Sequence, residues 1–449
     1  MEKTLHKLRM GPRLGRKETP GYWSGIACLV LLLAVACSGD PRRESSSKGP
    51  TFQLLEQAAV IDTAVTTRFF RFKGEAEKLF DPKALFESGI SAVVLGAGTL
   101  SEEVDIGDVT KPLFEGPQPG QPTFRSVFEG PAVIRRILQE LDALHQAIDG
   151  DEGVEIALTG SDIDRINNEG KLALVVGLDA GIQIDEDLSV LRMYSRLGVR
   201  KLSLTHETPS SWADSCTGIL DDGDLGLSAF GRKVVRECNR LGIVLDISHT
   251  SDEAARETID ASNKPVLASH SGARELSDVS RNIPNAILKT LAERGGVIGV
   301  GGFLDRKVTE NFAATGYYQR RLQMVRQLVP KYPDPFQLAF TLRNPQRMEA
   351  VRRELGLPLD EIPPSDLPFP TGSGATVTST LDHIDYLVKL IGVDHVGIGV
   401  DADMRAPGYV QLFGELTQGL VEREYSGEDI RKILGANFLR LFRDNRSSR

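Results

Sequence analysis

Two short apolar runs, Ile243-Val244-Leu245-Asp246-Ile247-Ser248-His249 and Pro265-Val266-Leu267-Ala268-Ser269-His270-Ser271, each close on or beside a histidine. Neither alternates polar with apolar residues, the pattern of a strand covered on both faces rather than one. Between them Thr250 and Glu253 have the spacing of a capping box, which predicts a helix opening directly behind His249. A strand, a helix and a second strand in that order form one parallel βαβ unit.

Six further runs extend the pattern outward: Ala59 to Val65, Ala92 to Gly98, Leu172 to Asp179, Val199 to His206, Gly296 to Gly302 and His395 to Asp401. Ser228 to Leu241 supplies a clear intervening helix, with Phe230, Val234, Val235, Cys238 and Leu241 on one face. An open doubly wound sheet shows the same alternation. The count of eight and the residues at the run ends favour a (β/α)8 barrel of the TIM type with helical insertions. The insertions are Thr99 to Ile156 and Leu304 to Ser379, the latter with a helical piece at Tyr317 to Leu328 and a proline-rich one at Pro363 to Pro370.

The C-terminal strand ends of such a barrel converge on one mouth. Here they offer Asp179, His206, His249, His270 and Asp401, three of them among only seven histidines in the chain. A lone histidine at such a place is usually a hydrogen-bonded barrel residue; three together point to chemistry. Imidazoles and a carboxylate can hold zinc with one position left for water, whose pKa then drops toward ~7. His249, His270 and Asp179 are the candidate ligand set, the logic of a metallohydrolase.

The 449 residues, 41% hydrophobic and 26% charged, are those of a globular chain, and one large domain accounts for them. The start differs. Lys3, Lys7, Arg9, Arg13, Arg16 and Lys17 precede an 11-residue apolar run, Ile26 to Ala36, and Cys37. The run is short for a permanent span of about 20 residues, which favours a cleaved leader over an uncleaved anchor helix. It resembles a bacterial lipobox, implying cleavage of residues 1–36 and a lipid on Cys37, with residues 37–50 as a polar tether and 51–449 as the barrel domain. The expected location is the cell envelope, at a periplasmic or outer-membrane surface, attached by the lipid. Without residues 1–36, 47 basic and 60 acidic residues remain, a formal charge of −13, so no nucleic-acid partner is expected. Cys216 and Cys238 are the cysteines beyond the anchor, and an oxidising compartment would permit them to pair.

Several stretches together are more specific than any one: Leu204-Thr205-His206, Trp212-Ala213-Asp214, Leu245 to His249, Ser269-His270-Ser271, Arg281-Asn282-Ile283-Pro284, Gly397 to Asp401 and Gly435-Ala436-Asn437-Phe438-Leu439-Arg440. From about Val60 to Phe442 the chain resembles the membrane (renal) dipeptidase family of zinc metallopeptidases. The resemblance implies a barrel that hydrolyses dipeptides at a two-zinc centre, and a homodimer. His249 and His270 match ligands of one zinc, and Asp179 stands where the family has a bridging glutamate. His206 matches a histidine that contacts substrate and the tetrahedral intermediate, and Asp401 an aspartate proposed to relay a proton. Arg281 matches the receiver of the substrate carboxylate, a task suited to its planar fork. By themselves Arg281 and Asp401 would read as a surface ion pair and a strand-end cap.

The chain departs from the family at the first strand. A His-x-Asp pair is expected there for the other zinc, but the positions hold Ala64 and Thr66, and Ile182 replaces a further histidine. The expectation is therefore a dipeptidase-type hydrolase with one zinc per chain, acting on dipeptides that include those with a C-terminal D-residue. The alternative is an inactive envelope protein that binds a dipeptide-like ligand.

Overall fold

A strand buried on both faces needs apolar side chains at consecutive positions, and Leu172–Leu178 is buried at every residue. The computed structural model describes residues 54–66 except 56, 81–97, 131–206, 209–216, 226–306, 375–402 and 408–446, together with 353 and 404. All belong to the unit Gly49–Arg449. The expected leader and tether, Cys37, and the pieces at Tyr317 to Leu328 and Pro363 to Pro370 lie outside the described residues.

Among the described residues the strands are β1 (Val60–Thr66), β2 (Ile90–Ala97), β3 (Val154–Ile156), β4 (Leu172–Leu178), β5 (Val199–Ser203), β6 (Val244–Asp246), β7 (Leu267–Ser271), β8 (Val297–Val300) and β9 (Val396–Ile398). Every pairing is parallel. β2 pairs with β4 from Ala92 opposite Ala173 to Ala97 opposite Leu178, and β1 pairs with β9. These contacts close β1, β2 and β4 to β9 into an eight-stranded barrel, one strand for each expected run. β3 is additional. It pairs with the start of β4, while β5 pairs further along. Three residues with one polar member carry no periodic signal, which is why the long insertion hid it.

Among the described residues the α-helices are α1 (Pro82–Glu87), α2 (Pro131–Asp149), α3 (Gly160–Asn168), α4 (Leu188–Arg196), α5 (Ala229–Leu241), α6 (Asp252–Ala261), α7 (Asn285–Glu293), α8 (Val377–Ile391), α9 (Tyr409–Glu422), α10 (Gly427–Arg431) and α11 (Asn437–Asp444). α5 forms as its sequence predicts: Ser228 caps it by accepting from Gly231 N, Gly242 ends it at φ 72°, and Val234, Val235 and Cys238 are buried. Cys216 and Cys238 are both free thiols. The cap of α6 differs from expectation. Ser251, not Thr250, accepts from Ala254 N, because His249 takes a left-handed turn (φ 67°) and the helix starts one residue later.

Phe438, Leu439, Leu441 and Phe442 of α11 pack with Ile61, Val94, Val175, Val244, Leu267 and Val297 in one apolar cluster. This closes the end of the barrel away from the histidines. Asn437 ties α11 in place, donating to the carbonyls of Val393 and Val396. Higher up, the Thr63 hydroxyl donates to Ser269 O at 2.6 Å and lies 2.9 Å from Ile398 O, spanning the interior between three strands.

Candidate active site

The mouth opens where pairing stops. β5, β6 and β9 end at Ser203, Asp246 and Ile398, so His206, His249 and Asp401 sit on the first turns beyond the strands rather than at their last residues. His270 lies within β7. His249 and Asp401 both have positive φ, 67° and 55°. Left-handed backbone costs a side chain energy and persists where surrounding contacts fix it. For His249 those contacts are two hydrogen bonds to its carbonyl, from Thr205 Oγ1 at 3.0 Å and Cys216 N at 2.7 Å. For Asp401 the contact is its amide, which donates to Ala64 O at 3.0 Å.

These turns bring the expected residues together. His206 stacks on His249 with ring centroids 4.2 Å apart, and Ser215 Oγ holds the His206 carbonyl. His249 Nε2 lies 3.0 Å from His270 Nε2, and Asp401 Oδ2 is 4.0 Å from the same His270 nitrogen. Burial, reinforced by the Arg281 charge, holds both paired imidazoles well below histidine's usual pKa. They are therefore neutral, the form that offers a lone pair. His270 is also oriented from behind: Ser269 Oγ donates to Asp246 Oδ2 and lies 2.7 Å from His270 Nδ1. With its proton engaged by the carboxylate, Ser269 accepts from Nδ1–H, and His270 Nε2 turns its lone pair into the mouth.

Asp246 anchors this arrangement. It is fully buried and accepts from Ser248 N, Ser269 N, Ser203 Oγ and Ser269 Oγ, with Lys201 Nζ 3.1 Å away. Burial favours its protonation, but the Lys201 ammonium and these donors outweigh it and hold the carboxyl well below the usual range. Lys201 in turn is buried yet raised in pKa, because Asp246 and Asp179 outweigh its desolvation. In the sequence Asp246 and Ser269 stand only as parts of longer motifs, and Lys201 carries no expected role. The signal available was a charged residue inside an otherwise covered strand at Lys201 and again at Asp246, a combination that requires a buried partner.

Asp179 does not join the histidine pair. Its Oδ1 lies 3.3 Å from Lys201 Nζ, and among the described residues no three His, Cys, Asp or Glu side chains form a group able to hold a metal ion. The two imidazoles converge as a metal would require; the third expected donor faces a lysine. At the first-strand end, Ala64 and Val65 line the same cavity as Asp179, Lys201, His249 and Asp401, so that position has no donor of its own from Ala64. The neighbouring Asp62 points elsewhere. Fully buried, it accepts from Ala64 N, Val400 N and Tyr409 OH, and burial pushes its pKa up to about 7.

Arg281 stands over the pair. Its Nη2 donates to His270 O at 3.3 Å, while buried Nε and Nη1 have no hydrogen-bond partner among the described residues. The loop beneath it is tied by hydrogen bonds: Asn282 accepts from Gly272 N and donates to the carbonyls of Ser277 and Phe303, and His383 accepts from Ala273 N. Buried donors without acceptors are costly, and a planar fork with two of them suits a carboxylate.

Known proteins share this architecture. Among solved structures, a probable dipeptidase PvdM from Pseudomonas aeruginosa aligns at TM-score 0.63 and 26% identity, over 88% of this chain and 97% of that one. A Rhodobacter sphaeroides metallo peptidase, solved with a phosphinate mimic of the dipeptide L-Ala-D-Ala, aligns at TM-score 0.59 and 18% identity, over 86% and 99%; at that identity the likeness is one of fold. Human Dipeptidase 3 is 28% identical over 69% of this chain and 52% of its own length. Dipeptidase tcpJ of Claviceps purpurea is 28% identical over 70% and 60%. The chain thus spans about half the length of the curated relatives it matches first. The family model described as Membrane dipeptidase (Peptidase family M19) matches residues 103–449, a stretch that runs from within the first insertion through every histidine of the mouth. The chain belongs to the membrane dipeptidase family.

Proposed function

We propose that the protein is a dipeptidase-type hydrolase that works at a single metal position, the His249–His270 pair, and grips its substrate through Arg281. The observation that carries this reading is the convergence of the two imidazole Nε2 atoms at 3.0 Å, beside an arginine with two unsatisfied buried donors. Members of the family are zinc-dependent metallopeptidases. Ala64 offers a metal no donor at the first-strand end; the histidine pair supplies two of the ligands a metal needs, by donor type, neutrality and orientation. Bound there, zinc would supply Lewis-acid polarisation of the scissile carbonyl and a more acidic water. The chain's own groups divide the remaining work. Arg281 binds and orients the terminal carboxylate of the dipeptide. His206, stacked on His249, is placed to donate a hydrogen bond to the developing oxyanion, and Asp401, beside His270, to carry a proton.

Zinc analysis and a panel of dipeptides, including some with a C-terminal D-residue, test the reading. It expects bound zinc and turnover in the wild type, and both lost in His249→Ala. Zinc-free protein whose properties are unmoved by His249→Ala would sink it. The Asp179–Lys201 pair favours a second reading, in which the ligand binds without being cut; tight dipeptide binding with no turnover on the whole panel is its signature.

The leader reading would put this chemistry at the cell envelope, within reach of cell-wall dipeptides. Cys37→Ser should then release the protein from the membrane fraction.

A further inference from the structure

We infer that the Lys201 ammonium is a built-in cation that has taken over the charge role of the missing first metal, holding Asp179 and excluding a second ion from the mouth. Three observations carry this. Lys201 Nζ lies 3.3 Å from Asp179 and 3.1 Å from Asp246, both carboxylates of the site. The lysine shares its cavity with Ala64, the position where the family resemblance calls for a metal-binding histidine. Gly96 has no Cβ, and one built there would collide with the Asp179 carboxylate, so β2 leaves the room in which Asp179 reaches the lysine.

The physical need is plain. Two carboxylates taken from water into a barrel mouth require compensating positive charge. Where first-strand ligands are absent, a metal no longer supplies it, and a lysine rooted in β5 does. An ammonium 3.3 Å from Asp179 also engages the carboxylate that a second divalent cation would need, and opposes that cation's charge at that place. The inference goes beyond the proposed hydrolysis, since it concerns the position beside the histidine pair and is read by metal content whether or not turnover is found.

The test is zinc stoichiometry of the full chain and three variants. Restoring the first-strand donors alone, Ala64→His with Thr66→Asp, should leave zinc content at the wild-type level. Adding Lys201→Met to that pair should raise it by about one ion per chain, and Lys201→Arg in its place, which keeps the charge, should not. An equal gain with and without Lys201→Met, an equal gain with Met and Arg, or a folded Met variant with no gain would overturn the inference. If the Met variant does not fold, thermal unfolding of the single Lys201→Met and Lys201→Arg proteins decides. A folded Arg protein beside a lost Met protein sustains the charge role, and equal loss in both overturns it.

Discussion

The end of β1 and the ends of β6 and β7 face one another across the same mouth, and they solve opposite problems. At β6 and β7 the side chains turn inward: His249 and His270 meet at 3.0 Å, with Ser269 and Asp246 fixing one ring from behind. At β1 the polar groups turn to structure. Asp62 gathers Ala64 N, Val400 N and Tyr409 OH, Thr63 ties β1 to β7 and β9, and Ala64 presents a methyl to the cavity. The contrast teaches that a barrel can lose donors at one strand end without losing the scaffold, because the contacts that hold the strand differ from those that serve the mouth.

The strongest way to break the comparison is Asp246→Ala. It would leave Lys201 buried with one carboxylate partner fewer and Ser203, Ser248 and Ser269 donors unsatisfied. A loss of about 3–5 kcal/mol is expected, read by denaturant unfolding; a loss below about 1 kcal/mol would mean the cluster is not the anchor argued above. Arg281→Ala comes next. Losing a charge-assisted clamp of about 1.5–3 kcal/mol should weaken dipeptide binding roughly 10- to 150-fold with little change in unfolding midpoint. Unchanged binding would remove the carboxylate assignment.

Asp62→Asn sharpens the β1 side. With a folded pKa near 7 against an ordinary 3.8, folded protein keeps this proton where unfolded chain releases it. The contribution to stability is thus greatest below about pH 4 and falls as pH rises toward 7, by up to about 1.4 kcal/mol per unit. In the Asn variant that slope should flatten; an unaltered slope would show that Asp62 is ionised throughout. The smallest effect is expected at the α6 cap: Ser251→Ala should cost about 1 kcal/mol and Thr250→Ala less, and the reverse order would restore the capping box the sequence suggested.

The barrel was legible because its eight strands recur as short, mostly apolar runs separated by amphipathic segments, a signal independent of partners. The convergence of His206, His249 and His270 followed from the fold, since strand ends share one mouth. β3 was hidden by its length, and the α6 cap by a left-handed turn at His249 that composition does not reveal. Asp179 shows the deeper limit. Its identity suggested a ligand, but its Oδ1 lies 3.3 Å from Lys201 Nζ, and which buried group a carboxylate faces depends on the packing of β2, β4 and β5 together. Arg281 was placed by resemblance; its two unsatisfied donors appear only once Asn282 and His383 have fixed its loop.

The bare α-carbon at Gly96 has a consequence for the order in which this site can change. While Asp179 leans toward Lys201, any side chain at position 96 would strike its carboxylate and break the pair. Variation at that glycine is thus contingent on prior change at Asp179 or Lys201. A lineage or a laboratory seeking to fill position 96 must first move the carboxylate or its lysine.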